Sequence, residues 1–355
     1  AETTVEATVE PTAEPTTEPT DVDNDYFEIE NGVLISFNPP WWYDITSVVI
    51  PSTVTVIGES VFYHMPDIEN VTIPNSVTRI EERAFQGCDG ITSIIIPESV
   101  TYIGDAAFWS TGLKSISLSS NLKHIGVIAF SDTYISEISL PNGLEYLGSG
   151  AFEGCSNLKS VNIPSSLTEI PSACFEYCDS LTSLSIPDSI ISIGDNAFFY
   201  SGITEIVIPD SVTSIGEDAF AGCSSLKSVK LSNSITSLPD WLFNKCSSLT
   251  SVTIPSSVTK IGFGCFSSSG LQNITIPDSV TSIDFSAFDY CRSLTAAYIP
   301  RSVTSIADYD RGYSSIFDGS DNVIVYVYKD SYAHNYCSGL DAPRDLKYII
   351  IDEPE

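Results

Sequence analysis

The sequence predicts a repeat solenoid with short parallel strands, about 12 repeats of 22–23 residues. Three observations predict this fold: a unit of 22 or 23 residues recurs without a gap, its apolar positions alternate, and nearly every unit holds a phenylalanine at one fixed position. Self-similarity at this period is typical of proteins whose units bury their apolar faces only against one another. The units begin at Ile45, Ile68, Ile91, Leu113, Ile135, Leu158, Leu181, Ile203, Leu226, Leu249, Leu271 and Leu294.

The first part of each unit predicts a short strand. Apolar side chains occupy the first, fourth and sixth positions, and the sixth, from Ile50 to Ile299, is always Ile or Leu. Alternation of this kind indicates a strand with one buried face. A proline such as Pro51 usually follows, and because proline lacks a backbone donor we expect the strand to stop there.

The second part of each unit returns the chain to the core. An apolar pair such as Val54 and Ile57 recurs, and Phe stands five residues later in eleven of twelve units. We expect a bend and a short helical turn there, with Phe85, Phe220 and Phe288 in one interior column. A single unit buries too little apolar surface to offset its ordering entropy, so stability must come from stacking.

Composition divides the chain into four parts. Residues 1–25 are built from Thr, Pro and Glu, which predicts a disordered, self-repelling tether; a frayed terminus without a role is the alternative. We predict an N-terminal capping hairpin over residues 26–44, the repeat array over 45–317 and a C-terminal cap over 318–355.

The repeat pattern LxxVxIPxSVxxIGxxAFxxC resembles the BspA-type leucine-rich repeat, from residue 45 to about residue 317. Residues 27–37, FEIENGVLISF, resemble the opening hairpin of that family, and residues 323–337, VIVYVYKDSYAHNYC, resemble its closing strand and helical turn. The resemblance implies a right-handed leucine-rich-repeat superhelix in a bacterial secreted or cell-surface protein. It also implies binding of proteins or matrix, with no activity attached to the repeat.

The charge of the chain disfavours polyanionic partners. Its net charge is −31 and ten of its acidic residues fall within the first thirty positions. Nucleic-acid binding depends on Lys and Arg contacts to phosphate, so no nucleic-acid partner is expected. No run approaches the roughly 18 apolar residues that a membrane-spanning helix needs, so we expect no direct membrane insertion. We expect a monomer.

Nine cysteines raise the question of disulfides. Stacked coils would hold equivalent cysteines about 4.8 Å apart with parallel side chains, whereas a disulfide needs Cβ atoms about 3.8 Å apart that converge. Buried free thiols are therefore predicted. Six of the cysteines share one position, three residues after the Phe: Cys88, Cys155, Cys178, Cys223, Cys246 and Cys291.

Motifs for metal binding and catalysis are missing from the sequence. Asp21, Asp23 and Asp25 match a calcium loop only superficially, since Tyr26 stands where the turn glycine belongs. No paired cysteine motif suits zinc, and no nucleophile stands in a recognisable motif beside a His partner. We predict no metal, no cofactor and no enzymatic activity.

Two surfaces are candidates for binding. The exposed strand positions, such as Ser115 with Ser117, form an uncharged hydroxyl and amide face, which serves either adhesion or merely solubility. Aromatic residues that break the repeat are candidate anchors, with packing at the edge of the fold as the alternative; the last two of them lie in an insertion at residues 308–315. These candidates are Trp41, Trp42, Trp109, Trp241, Phe199, Tyr200, Tyr290, Tyr309 and Tyr313.

Two functional hypotheses follow. The first is an extracellular or cell-surface scaffold for adhesion or protein–protein interaction, whose partner is a host or bacterial surface protein, matrix or glycan. The second is a carbohydrate-binding accessory module of a larger extracellular assembly, in which Trp41 and Trp42 stack on sugars. An enzyme is a distant third.

Overall fold

The chain folds into the solenoid that the sequence predicts, with about 13 turns. The computed structural model describes residues 26–40, 44–307, 316–338 and 346–351. The predicted tether at residues 1–25 lies outside the described residues. Among the helices of the described part, none is long and apolar enough to span a bilayer.

Short strands form two columns along the solenoid, one from the first part of each unit and one from the second. The described strands are β1 (Phe27–Glu30), β2 (Val33–Phe37), β3 (Ser47–Val49), β4 (Val56–Ile57), β5 (Asn70–Thr72), β6 (Arg79–Ile80), β7 (Ser93–Ile95), β8 (Tyr102–Ile103), β9 (Ser115–Ser117), β10 (His124–Ile125), β11 (Glu137–Ile138), β12 (Tyr146–Leu147), β13 (Ser160–Val161), β14 (Glu169–Ile170), β15 (Ser192–Ile193), β16 (Glu205–Val207), β17 (Ser214–Ile215), β18 (Ser228–Lys230), β19 (Ser237–Leu238), β20 (Lys260–Ile261), β21 (Asn273–Thr275), β22 (Ser282–Ile283), β23 (Ala296–Ile299), β24 (Ser305–Ile306), β25 (Ile324–Tyr328) and β26 (Lys347–Ile351).

The strand pairing caps the stack at both ends. At the N-terminal end β1 and β2 form an antiparallel hairpin, and β2 pairs in parallel with β4 of the second column. At the C-terminal end β23, β25 and β26 pair in parallel. The helix α1 (Tyr332–Ser338) contacts β24, β25 and β26. Apart from the opening hairpin, every strand pair in the described residues is parallel.

A continuous column of stacked phenylalanine rings forms the centre of the core, which confirms the predicted alignment of Phe85, Phe220 and Phe288. Neighbouring ring centroids are 5.0–5.9 Å apart. Such ring pairs contribute about 0.5–1.5 kcal/mol each beyond the burial of their area. The column consists of Phe37, Phe62, Phe85, Phe108, Phe130, Phe152, Phe175, Phe198, Phe220, Phe243, Phe266, Phe288 and Phe317.

The segment around each column Phe from Phe62 to Phe288 forms hydrogen-bonded turns, and no helix occurs there in the described array, unlike the short helical turn that the sequence predicts. The residues two before and two after the Phe have positive φ, as at Arg83 (55°) and Gly87 (72°) around Phe85. Positive φ interrupts a right-handed helix. The Phe85 N–H donates instead to the Ala107 carbonyl in the next coil at 2.8 Å.

The nine cysteines are buried and free, as predicted. The thiol of Cys88 donates to the Phe62 carbonyl one coil earlier at 3.0 Å, and the same bond recurs at the five other cysteines of that position. Burial raises the pKa of the Cys88 thiol to about 12. These thiols therefore act as small core residues that also satisfy a buried carbonyl.

A column of buried serine hydroxyls lacks hydrogen-bond partners within the described protein. We expect Ser211→Ala to change the free energy of unfolding by less than about 0.5 kcal/mol, because it removes a group that forms no bond. Ser232 is the matched control, since its hydroxyl donates to the Val212 carbonyl at 2.6 Å and accepts from the Ser234 N–H at 3.0 Å. The column is Ser76, Ser99, Ser189, Ser211, Ser257, Ser279 and Ser302.

Ser232→Ala should lower the free energy of unfolding by about 1–2 kcal/mol, because it leaves the buried Val212 carbonyl unsatisfied and removes the acceptor of the Ser234 N–H. Urea denaturation of the two variants measures the difference. A greater loss of stability in Ser211→Ala than in Ser232→Ala would show that the serine column forms bonds of its own.

Candidate binding surface

Each coil presents two surfaces of different chemistry. The strand face consists of the exposed third and fifth residues of each unit, which lie on the first strand column. The turn edge consists of the residues from three before to four after each column Phe from Phe62 to Phe288. Both surfaces run along the solenoid, because every coil repeats them.

The strand face is mainly a sheet of Ser, Thr and Asn side chains, as predicted. Two apolar side chains stand out on it, Ile95 at 72 % exposed and Val207 at 57 %. A shallow depression of about 740 Å³ surrounds Val207 and also touches Glu205 and Lys230. The face thus offers many hydroxyl groups and no aromatic residue until Tyr298, near its C-terminal end.

The second strand column carries a stack that the sequence analysis missed. The Arg79 guanidinium lies 3.7 Å from the ring centroid of Tyr102. The rings of Tyr102, His124 and Tyr146 follow, with centroids 4.4 Å apart at each step. Desolvation lowers the pKa of His124. These four residues occupy the same position in four successive units, which is the signal that could have found them.

Most of the array's well-exposed tyrosines lie on the turn edge. They lie one, two or four residues after a column Phe, and between 36 % and 55 % of each side chain is exposed. They are Tyr63, Tyr134, Tyr177, Tyr200 and Tyr290.

Three aromatic side chains of neighbouring coils form a cluster on this edge, which we name the aromatic patch: Tyr177, Phe199 and Tyr200. The rings of Tyr177 and Tyr200 stack with centroids 5.8 Å apart, and Phe199 meets both rings edge-on, 5.8 Å from Tyr177 and 4.7 Å from Tyr200. The Lys245 ammonium donates to the Tyr200 hydroxyl at 3.0 Å. The patch is therefore a fixed group of rings held by its own contacts.

The position of the Tyr200 ring depends on a glycine in the next coil, which leaves room for a large side chain above it. Tyr200 has positive φ (52°) and its ring covers Gly222, where a Cβ atom would lie 2.5 Å from the ring. With Tyr177 on its other face, the Tyr200 ring is enclosed on both sides. The same arrangement recurs where His64 covers Gly87, Tyr290 covers Gly319 and Trp241 covers Gly264.

Half-buried carboxylates flank the aromatic patch. Glu153, Glu176 and Phe199 occupy the same position in three successive coils, and Asp218 lies nearby. Desolvation, and then repulsion by Glu153 and Asp218, raise the pKa of Glu176 to about 7. Desolvation also raises the pKa of Glu153, with Asp132 as the second cause. The edge thus combines exposed rings with concentrated negative charge.

The predicted anchors are only partly described. Trp109 lies half-buried on the turn edge, where its Nε1–H donates to Asp132 Oδ2 at 3.0 Å. Trp241 is also half-buried on that edge, and its ring meets Phe263 edge-on at 4.3 Å. Several coils separate the two, so they do not form one site. Trp41, Trp42, Tyr309 and Tyr313 lie outside the described residues.

The stacked parallel coils define the class of leucine-rich repeat solenoids. The BspA type leucine rich repeat region, in 6 copies, matches residues 41–142, 125–206 and 191–318. The chain belongs to this family.

Solved structures of bacterial proteins have similar folds. A leucine-rich repeat protein from Bacteroides ovatus is 32 % identical, with 87 % of this chain and 84 % of that chain covered and a TM-score of 0.71. One from Eubacterium ventriosum is 22 % identical, covering 78 % and 91 %, with a TM-score of 0.52. The pneumococcal vaccine antigen PcpA is 19 % identical, covering 90 % and 84 %, with a TM-score of 0.63. No curated protein matches the chain significantly.

Proposed function

We propose that the chain is a secreted or cell-surface scaffold of a bacterium that binds a partner protein through its turn edge, without catalysis. The observation that carries this proposal is the aromatic patch of Tyr177, Phe199 and Tyr200. It presents rings to solvent at a place where they are already ordered by neighbouring coils. A partner that packs there loses little additional side-chain entropy.

The chemistry of the two surfaces favours the turn edge over the strand face. Tyrosine is enriched among the residues that dominate protein interfaces, whereas Ser, Thr and Val are under-represented there. The turn edge carries the tyrosines, and the strand face carries mainly Ser and Thr. We therefore assign contact energy to the edge and solubility to the hydroxyl face.

An extracellular location rests on the family and on the composition. The acidic Thr, Pro and Glu segment at residues 1–25 suits a spacer between the solenoid and a cell wall or a further module. A strongly acidic chain also stays soluble outside the cell. The proposed partner is a host or bacterial surface protein or a matrix protein.

Sugar binding is the competing function. A sugar stacks on an open ring face, but the Tyr200 ring lies between Tyr177 and Gly222. Tyr200 therefore offers its ring edge and its hydroxyl, which suit a protein surface better than a sugar ring. Trp41 and Trp42 are the residues that would serve the sugar hypothesis.

A parallel screen of purified matrix and surface proteins and of a glycan array tests the proposal. We expect protein binding that Tyr177→Ser with Phe199→Ser weakens at least about fivefold, as for interface anchors. The matched control on the strand face, Tyr298→Ser, should bind like the native chain. Glycan binding that depends on Trp41 and Trp42, without protein binding, would replace this function with the carbohydrate one.

A further inference from the structure

We propose that the aromatic patch and its flanking carboxylates bind a cationic, arginine-bearing segment of the partner, an inference that rests on the proposed function and specifies its ligand. The patch supplies apolar ring edges, and Glu153, Glu176 and Asp218 supply hydrogen-bond acceptors beside them. An arginine side chain fits this combination, because its aliphatic stem packs on apolar surface while its guanidinium binds carboxylate.

The carboxylates are available for such a ligand. The described residues contain four ion pairs, and none of them involves Glu153, Glu176 or Asp218. The Asp132 carboxylate, next to Glu153, accepts a hydrogen bond from Trp109 and forms no ion pair in the described part. Lys245 acts on Asp218 without forming an ion pair with it. A partner's cations would therefore relieve the mutual repulsion of the three acids.

The charged groups around the patch are unequal in number. Desolvation, and then the negative charges of Glu153 and Asp218, raise the pKa of Glu176. Desolvation and three further acids raise the pKa of Asp218, and one cation, Lys245, lowers it. Lys245 is already bound to the Tyr200 hydroxyl, so it marks one place where an ammonium group sits at the edge of this patch. The further acids that face Asp218 are Asp195, Glu217 and Asp240.

Binding of the cationic segment should depend on pH. Desolvation and the neighbouring acids raise the pKa of Glu176 to about 7, so this carboxyl is largely protonated at pH 6 and largely ionised at pH 8. A cation binds the ionised form better, hence affinity should rise with pH across this range. We expect a rise of about two- to fivefold, the usual range for one exposed ion pair.

The test uses the full chain, immobilised, and a synthetic acetylated peptide with three copies of Arg-Gly-Tyr-Arg. Its matched probe carries citrulline in place of every arginine, which removes the charge and keeps the shape. We expect the arginine peptide to bind at least about tenfold more tightly, as several charge-assisted contacts imply. Equal binding of the two peptides would overturn the inference.

A pair of triple variants separates a built site from the general attraction of an acidic chain. The site variant combines Glu153→Gln, Glu176→Gln and Asp218→Asn. It should bind the arginine peptide at least about tenfold more weakly than the native chain. A control variant removes the same number of carboxyl groups from exposed positions on or beside the strand face, through Glu69→Gln, Glu137→Gln and Glu205→Gln. At pH 8, where Glu176 is largely ionised, this control should leave binding within about twofold. If both variants lost the same affinity for the arginine peptide, binding would depend only on the net charge of the chain, and the inference would be wrong.

Two further readouts complete the test. In Glu176→Gln the rise in affinity between pH 6 and pH 8 should disappear; a rise that persists would remove Glu176 from the site. If Tyr177→Ser with Phe199→Ser abolishes binding to a protein from the screen but the citrulline peptide binds like the arginine peptide, the proposed function stands and the cationic ligand is wrong. If Tyr177→Ser with Phe199→Ser changes neither the binding of the protein nor the binding of the peptides, the proposed function itself is wrong.

Discussion

Phe198→Ala is expected to lower the free energy of unfolding by about 3–5 kcal/mol, the usual cost of deleting a buried phenyl group. Phe198 is completely buried at the middle of the ring column, with its centroid 5.6 Å from Phe175 and 5.1 Å from Phe220. The cavity cannot collapse easily, because each coil is held to the next by backbone hydrogen bonds on both sides. Urea denaturation followed by circular dichroism measures the loss.

Phe199→Ala is the control, because it makes the same substitution at the adjacent residue. Phe199 is half-buried in the aromatic patch and lies outside the ring column. Its contacts are two edge-on ring pairs, so we expect a loss of about 1–2 kcal/mol. Equal losses at the two positions would mean that the ring column does not dominate the stability of the stack.

The ring column and the strand positions could be predicted from the sequence because they repeat at every unit. Alternating apolar residues and the recurring Phe leave one way to bury both, which is to stack coils in register. The backbone conformation around the column Phe was harder to predict, because the small and polar residues there are also compatible with a helical turn. Positive φ at residues such as Arg83 and Ala173 has no sequence signal in those residues themselves.

The candidate site was still harder to predict, because residues that contact each other between neighbouring coils are 22 or 23 positions apart in the sequence. Trp109 and Trp241 were candidates because they break the repeat, and the structure places them in different parts of the edge. Phe199 and Tyr200 were candidates because they break the repeat, but nothing in the sequence set them apart from the other candidates. Tyr177 was not a candidate, and only the stacking of the coils brings Tyr177 and Tyr200 into contact. The useful signal was their identical position in consecutive units, with a glycine, Gly222, at the same position in the next.

Unit length also determines where glycine is required. Three of the 22-residue units are each preceded by a 23-residue unit, and each of these three shorter units ends in glycine. Without positive φ at any of the three, space rather than conformation requires the glycine: a Cβ atom would overlap the carbonyl oxygen of the penultimate residue in the preceding unit. The glycines are Gly112, Gly202 and Gly270, and the carbonyls belong to Asp89, Asp179 and Ser247.

Gly202→Ala should therefore lower the free energy of unfolding by about 3 kcal/mol, at the upper end of overpacking effects, because the obstacle is backbone and cannot rotate away. Gly202 and Asp179 each follow an aromatic residue of the patch by two positions, Tyr200 and Tyr177. Pushing these coils apart should also separate the two stacked rings and weaken partner binding. Urea denaturation and near-ultraviolet circular dichroism report the two effects.

Tyr134→Ala is the matched control for Gly202→Ala. Tyr134 also ends a 22-residue unit, but the unit before it has 22 residues as well, and its side chain is exposed. Tyr134 already carries a Cβ atom in the native fold, so the overlap expected at position 202 does not arise at that junction. We expect a change below about 0.5 kcal/mol, as for most surface substitutions. If alanine at position 202 cost no more than alanine at position 134, the alternation of unit lengths would not constrain the sequence.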